Sequence, residues 1–250
     1  MRSRARASGT GSELLFAEPL TGARLIRRYK RFLADFELDG EVVTAHCANP
    51  GAMLGLLEPG SRALLSRSTN PARKLAWSWH VVEAALPGGP QWVGIDTSLP
   101  NRLVAEALAE DRLAPLAGYA ARRAEVAYGR ASRVDFLLAV PDRPPCYVEV
   151  KNCHMMRREG LAEFPDCIAA RSARHMDELA ATVEAGARAA VVIVVQMRAE
   201  RFDVARDIDP AFDRAFRRAR AAGVEAYAYS CDVTPEGITV DRAVEIVTPA

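Results

Sequence analysis

The chain has 250 residues, half of them apolar and 26% charged, with a formal net charge of +1. That length holds one large domain or two modest ones, and that apolar share builds ordinary cores, which excludes a disordered chain. No apolar run approaches the roughly 20 residues of a membrane helix; the longest, Ala189 to Val195, is strand-sized and stops at Gln196.

The first residues carry Arg2, Arg4 and Arg6 but lead into no apolar segment of the kind a signal peptide needs. Residues 1–20 therefore read as a flexible basic tail, and the chain is expected in the cytoplasm, away from membranes. The five cysteines (47, 146, 153, 167 and 231) form no Cys-x-x-Cys pair and no zinc spacing with the four histidines, so they read as reduced thiols. Residues 1–85 hold 12 basic and 8 acidic groups, and residues 86–250 hold 21 and 24. A basic front favours a polyanion partner, and an acidic back fits a carboxylate metal site. Of the 33 basic residues only Lys30, Lys74 and Lys151 are lysine, and these mark places where a compact ammonium is favoured over a guanidinium.

From Ala23 to Val82, short apolar runs alternate with turn signals at Asp39-Gly40, Asn49-Pro50-Gly51 and Pro59-Gly60. Strands at that spacing predict a compact barrel over residues 21–85. Cations and rings interleave in Arg24, Arg27, Arg28, Tyr29, Lys30, Arg31 and Phe32, and again in Arg73, Lys74, Trp77 and Trp79. That mixture suits nucleic acid, phosphates meeting cations and bases meeting rings; it equally fits a solvated basic strand with core aromatics.

The cluster Leu86-Pro-Gly-Gly-Pro90 predicts a domain boundary, with a second domain over 86–250. Pro100 to Leu113 has helical spacing, with Glu106 at the edge of its apolar stripe and expected to point inward. Strands are predicted at Ala124–Tyr128, Arg133–Val140 and Cys146–Lys151, joined as two hairpins. A helix over Cys167–Ala185, a continuous apolar strand over Ala189–Gln196, a helix over Pro210–Ala222 and a strand over Val224–Ser230 complete a mixed α/β sheet flanked by helices.

Strand alternation puts Glu149 and Lys151 on one face and Val148 and Val150 on the other. Asp135, between Val134 and Phe136, falls on the neighbouring strand of the hairpin, so two acids and a lysine converge. Two carboxylates suit a hard cation such as Mg²⁺, which neutralises charge on a scissile phosphate, while the lysine orients or activates a water. A Glu-x-Lys pair on a solvated strand is also an ordinary ion pair. Arg171 and His175, four apart, share a helix face that could approach a phosphate or hold the strand carboxylates.

The segments Arg133-Val-Asp-Phe-Leu137 and Tyr147-Val-Glu-Val-Lys151 resemble the PD-(D/E)xK nuclease core, and the chain around them resembles the sugar fermentation stimulation protein A family. The resemblance extends over Leu25–Ala34, His46–Met53, Asn101–Leu103, Glu125-Val126, Tyr128-Gly129, Phe164–Asp166, Arg171 and His175, leaving only residues 1–20 outside. It implies an OB-like N-terminal domain, a PD-(D/E)xK-like C-terminal domain, non-specific DNA binding and a regulatory role in maltose and sugar metabolism. Asp135, Glu149 and Lys151 carry over as catalytic residues. The cation, Mg²⁺ or Mn²⁺, would be held by Asp135 and Glu149, with Glu106 or Glu125 as a further carboxylate or as a structural ion-pair partner. The chain departs from the family at Pro50 and Ala169, each replacing a threonine, and at Ser172, replacing a glycine; Val134 stands where the generic motif has proline.

The expected function is therefore a DNA-binding protein whose C-terminal domain is a metal-dependent DNA phosphodiesterase, contacting DNA without sequence preference through Arg27, Arg28, Tyr29, Lys30, Arg31, Asn49, Lys74, Arg171 and His175. The alternative is a DNA-binding regulator that keeps the nuclease fold as a scaffold.

Overall fold

The computed structural model describes residues 14–16, 19–129 and 132–248. A two-residue strand, β1 (Leu14–Leu15), precedes six strands: β2 (Thr21–Tyr29), β3 (Leu33–Leu38), β4 (Glu41–Cys47), β5 (Arg62–Arg67), β6 (Trp77–Leu86) and β7 (Gly89–Gly94). Their order is β4-β3-β2-β5-β6-β7, and the parallel pairing of β4 with β6 closes the first five into a barrel. Closure removes the exposed sheet edges. Asp39 and Gly40 both have positive φ, which is the twist a tight β3–β4 hairpin requires. Inward-facing Leu25, Phe36, Ala45, Leu65 and Trp79 fill the barrel, with Phe36 edge-on to Trp79 at 5.2 Å. Trp79 is thus a core residue rather than an exposed stacking ring.

The Pro/Gly cluster expected to separate two domains is instead the turn of the β6–β7 hairpin, so the barrel's sheet continues to Gly94. Within the segment read as a flexible tail, Leu14 and Leu15 pair with a C-terminal strand, and Phe16 packs against the core; residues 1–13 lie outside the described residues.

The second sheet has ten strands. They include β8 (Ala121–Tyr128), β9 (Ser132–Val140), β10 (Arg143–Cys153), β11 (Met155–Arg158), β12 (Leu161–Phe164), β13 (Arg188–Val195), β14 (Arg201–Val204), β15 (Glu225–Val233) and β16 (Gly237–Ile246). Helices α1 (Leu99–Ala109), α2 (Ala170–Glu184) and α3 (Pro210–Ala221) cover it. The order is β11-β12-β14-β16-β15-β13-β10-β9-β8, and β1 pairs with β16. The two predicted hairpins, β8–β9 and β9–β10, are both present. Parallel β13 lies between β10 and β15 and is buried on both faces: Val191, Ile193 and Val195 join the cluster under α2 and α3, while Ala190, Val192 and Val194 join the one under α1. Burial on both faces explains its unbroken apolar sequence. No helix among the described residues is long and apolar enough to cross a membrane.

The barrel and the second sheet share one core, which runs from Leu25 and Trp79 to Val191 and Phe212. Polar bonds fix the junction. Gly94 N–H donates to the Gln196 carbonyl at 2.8 Å, and Met53 N–H donates to Asp166 Oδ2 at 2.6 Å. Asn152 Nδ2 lies 3.0 Å from His154 Nδ1, which makes Nδ1 the acceptor and leaves Nε2–H to donate to Asp166 at 3.1 Å. Burial raises the Asp166 carboxyl, but the hydrogen bonds from His154 and the Met53 N–H outweigh it and hold the group below its ordinary value.

Two stability predictions follow from these contacts. Asp209 accepts from Ala211 and Phe212, capping α3, and from Ala169 at the start of α2. Asp209→Ala should cost about 2 kcal/mol or more, since it orphans three N–H groups, and Asp209→Asn should recover part of it; urea unfolding of both variants tests the cap. For Asp166 the folded pKa is depressed, so its contribution is present above the unfolded value of about 3.9 and is lost as pH falls through the folded one. Asp166→Asn keeps an acceptor for Met53 but loses the charge, and should cost roughly 1–2 kcal/mol at neutral pH. The gap from wild type should close below about pH 4, and an equal gap in urea midpoints at both pH values would rule the charge out.

Candidate active site

Alternation along β10 turns Val148 and Val150 toward the α1 core and Glu149 and Lys151 toward α2, as read from the sequence. The polar face is not solvated: Glu149 is 3% exposed and Lys151 8%. A carboxylate that deep must be paired or lose its charge. Lys151 Nζ donates to Glu149 Oε1 at 2.6 Å, and His175 on α2 shares the same oxygen through Nδ1. Arg171 Nε, one turn back, donates to His175 Nε2 at 3.3 Å, which makes that nitrogen the acceptor and puts the imidazole proton on Nδ1, facing Glu149. Burial pushes the Glu149 carboxyl up, but the His175 bond and the Lys151 charge prevail and set it below its ordinary value.

Asp135 lies beside this group. One step beyond the Phe136–Val148 pair places it opposite Glu149, where Val150 N–H donates to Oδ2 at 2.7 Å and Asn101 Nδ2 to Oδ1 at 2.8 Å. Burial and the Glu149 charge raise its pKa. Glu149 Oε2, also buried, has no partner. Between the pairs Ala124–Phe136 and Val126–Val134, Glu125 stands opposite Asp135, with its backbone in the left-handed region at φ +52°. That conformation is unusual for a non-glycine residue inside a strand.

Two adjacent carboxylates, one raised by its neighbour's charge and the other keeping an orphaned oxygen, form a donor set that fits a divalent cation. Among the described residues no cluster of three or more His, Cys, Asp or Glu side chains forms a cation cage. The pair thus suits an ion that keeps several waters, as Mg²⁺ does.

These groups lie at the bottom of a cleft of about 600 Å³ bounded by both parts of the chain. Arg31, Asn49, Pro50 and Gly51 line it from the barrel; Ile168, Ala169 and Arg171 line it from the approach to α2. Of the residues singled out in the sequence, Arg31, Asn49, Glu125, Asp135, Glu149, Lys151, Arg171 and His175 converge here. Asn49 is committed to shape: its amide donates to the Ile95 carbonyl, and its oxygen accepts from Gly51. Its side chain thus braces the loop at the cleft wall.

The others lie elsewhere. Glu106 sits half-buried on α1 outside the cleft, with the charges of Arg102 and Arg112 nearest it, and burial raises its pKa. It is not placed to complete the carboxylate pair. Arg27 and Tyr29 both bond Asp35, and Arg27 also lies over the Tyr29 ring at 5.1 Å. Arg28 spans the Arg31 and Asn49 carbonyls, bracing the β2–β3 turn. Lys30 and Lys74 are exposed and do not line the cleft. Asn101, His154 and Asp166 were not assigned a role from the sequence. Single polar residues in helix, turn and loop carry no periodic signal; Asn101 and Asp166 stand out only as part of the family resemblance, in Asn101–Leu103 and Phe164–Asp166.

Comparison with known proteins agrees with this architecture. The model described as "SfsA N-terminal OB domain" matches residues 26–95, and that of the "Sugar fermentation stimulation protein RE domain", a restriction-endonuclease-like domain, matches residues 98–237. A sugar fermentation stimulation protein homolog from Methylorubrum populi is 70% identical over 93% of this chain and 95% of its own. One from Methylobacterium nodulans is 70% identical over 93% and 99%, and one from Caulobacter vibrioides 51% over 92% and 96%. The fold matches a solved structure described as Pyrococcus furiosus SfsA in complex with Ca²⁺, with TM-score 0.83 and 23% identity over 94% of this chain and 99% of that one. A five-stranded OB barrel joined to a nuclease-like mixed sheet, with relatives of this identity along nearly the whole chain, places the protein in the sugar fermentation stimulation protein family.

Proposed function

We propose that the protein binds DNA without sequence preference and that its C-terminal domain is a Mg²⁺- or Mn²⁺-dependent DNA phosphodiesterase. The observation that carries this reading is the pairing of half-buried Asp135 with buried Glu149 and its orphaned Oε2, in a cleft also lined by arginines. Asp135 and Glu149 would hold the cation, and the relative described in complex with Ca²⁺ supports a divalent ion. Bound there, the ion offsets charge on the scissile phosphate and acidifies the attacking water. His175, locked by Arg171, keeps Glu149 ionised and oriented. Lys151, held beside Glu149, would orient the attacking water. Arg31 and Arg171, which line the same cleft, would meet phosphates flanking the reacting one.

Mn²⁺ or Ca²⁺ should raise the melting temperature of the wild type, and Glu149→Gln should abolish that rise. Equal shifts in both proteins would place the ion elsewhere. In nicking of supercoiled DNA with Mn²⁺, Asp135→Asn and Lys151→Arg should each lose roughly 100-fold or more, because a guanidinium is wider than the ammonium it replaces and has a higher pKa. If all three proteins nick equally, the cleavage comes from a contaminant; if none nicks while all bind DNA, the fold serves as a scaffold.

DNA affinity should fall steeply with salt. Arg31→Glu should weaken it about tenfold or more, whereas Arg27→Glu, whose guanidinium is already paired with Asp35, should have a smaller effect. The reverse ranking in a binding titration would move the DNA track off the cleft.

A further inference from the structure

We propose that the cleft accepts DNA with unpaired bases and that Phe32 is the platform on which one of those bases stacks; the proposal rests on the DNA-binding reading above.

The recess of the carboxylates is the first ground. Glu149 is only 3% exposed, and the cleft it lines is also lined by the barrel loop at residues 49–51 and by Ile168, Ala169 and Arg171. About 600 Å³ is the volume of a site that encloses a small ligand. A duplex is a stiff rod whose major groove alone is about 12 Å wide, with its bases stacked inside. Enzymes that act at the bottom of such a recess work on single strands or draw a nucleotide out of the stack. A flexible strand can thread its phosphates past Arg31 and down to the carboxylates.

The rim is the second ground. Phe32 is 44% exposed, and its ring lies against His46 with centroids 6.4 Å apart and planes 14° from parallel. It follows Arg31, whose side chain lines the cleft, at the tip of the β2–β3 turn. Ile168, another lining residue, is 78% exposed, with Arg171 one turn further on. Burial in a core would account for none of this exposure. A ring set beside a second, nearly parallel ring keeps part of its surface free, and cations near such a ring are the pattern by which proteins hold single strands: bases stack while the backbone meets positive charge. A surface pair that merely covers β4 would present the same ring without needing any base.

The experiment is fluorescence anisotropy at fixed salt with the full chain and Ca²⁺. The probes are a labelled single strand of about 20 nucleotides, longer than the ~4–16 covered by one OB fold, and a blunt duplex of the same sequence. The single strand should bind roughly tenfold or more tightly than the duplex. Phe32→Ala should weaken single-strand binding about fivefold or more while leaving the duplex unchanged, and Phe32→Tyr should restore it. Duplex binding as tight as single-strand binding would overturn the proposal. So would unchanged single-strand affinity in Phe32→Ala, provided that the variant melts as the wild type does. If neither DNA binds at low salt, the DNA-binding reading falls with it. If the duplex alone binds, only the inference falls.

Discussion

The cleft depends on keeping one carboxylate charged where almost no water reaches it. Burying a carboxylate costs several kcal/mol unless other groups replace its hydration. Glu149 meets that requirement from two directions: Lys151, two residues along the same strand face, and His175, from the helix packed over it. The requirement explains why α2 must dock closely on β10, and why Arg171 stands one turn before His175, where it fixes the imidazole tautomer. It also gives a reason for lysine at position 151. A compact ammonium fits beside Glu149 in this enclosure; a planar fork would need more width. Since both donors use Oε1, Oε2 is left without a hydrogen-bond partner, and burial together with the Glu149 charge raises the neighbouring Asp135 carboxyl.

The barrel takes part in this arrangement as a wall of the cleft. Its loop at residues 49–53 is held to the second sheet by the Met53–Asp166 bond, with His154 behind Asp166. At Gly51 an added Cβ would lie 2.7 Å from both Asp166 oxygens, so the loop approaches as closely as it does only because no side chain is present there. Gly94 is similar: a Cβ would meet Gln196 Oε1 at 2.5 Å. Two glycines thus mark the places where the barrel touches the sheet that carries the carboxylates. Pro50, between Asn49 and Gly51, adds no N–H that would need a partner in this tight contact.

Strong local patterns made much of this legible. Val148 and Val150 alternate with Glu149 and Lys151, which is enough to assign faces, and the run from Ala189 to Val195 is apolar because both its faces are covered. The strands at 155–158, 161–164 and 201–204 escaped notice because four residues hold too few repeats to show a period. Pro87-Gly88 gave a correct turn but a wrong meaning, since a hairpin inside a sheet and a boundary between domains use the same residues. The basic run at 24–31 was over-read for a different reason. Asp35, six to eight positions away in sequence, comes opposite Arg27 when β3 folds back, and it takes Arg27 and Tyr29 out of play. Glu106 was placed by helical period alone, which gives a face but not what that face meets.

Backbone strain shows where the fold is committed to the cleft. Six described non-glycine residues have positive φ: Lys30, Arg31, Asp39, Met53, Asp111 and Glu125. Asp39 shares its hairpin turn with Gly40, and Asp111 follows the end of α1, both ordinary settings for this conformation. The other four lie in the cleft wall or on the segments that form it: Lys30 and Arg31 at the turn that delivers Arg31, Met53 at the bond to Asp166, and Glu125 opposite Asp135. Each such residue costs of order 1 kcal/mol and persists only where its surroundings hold it. Arg28 supplies that hold at the turn through the Arg31 and Asn49 carbonyls, and Asp166 supplies it at Met53. Relaxing any of the four would swing a side chain or a loop away from the carboxylates, so the strain is what aims the rim of the cleft at its floor.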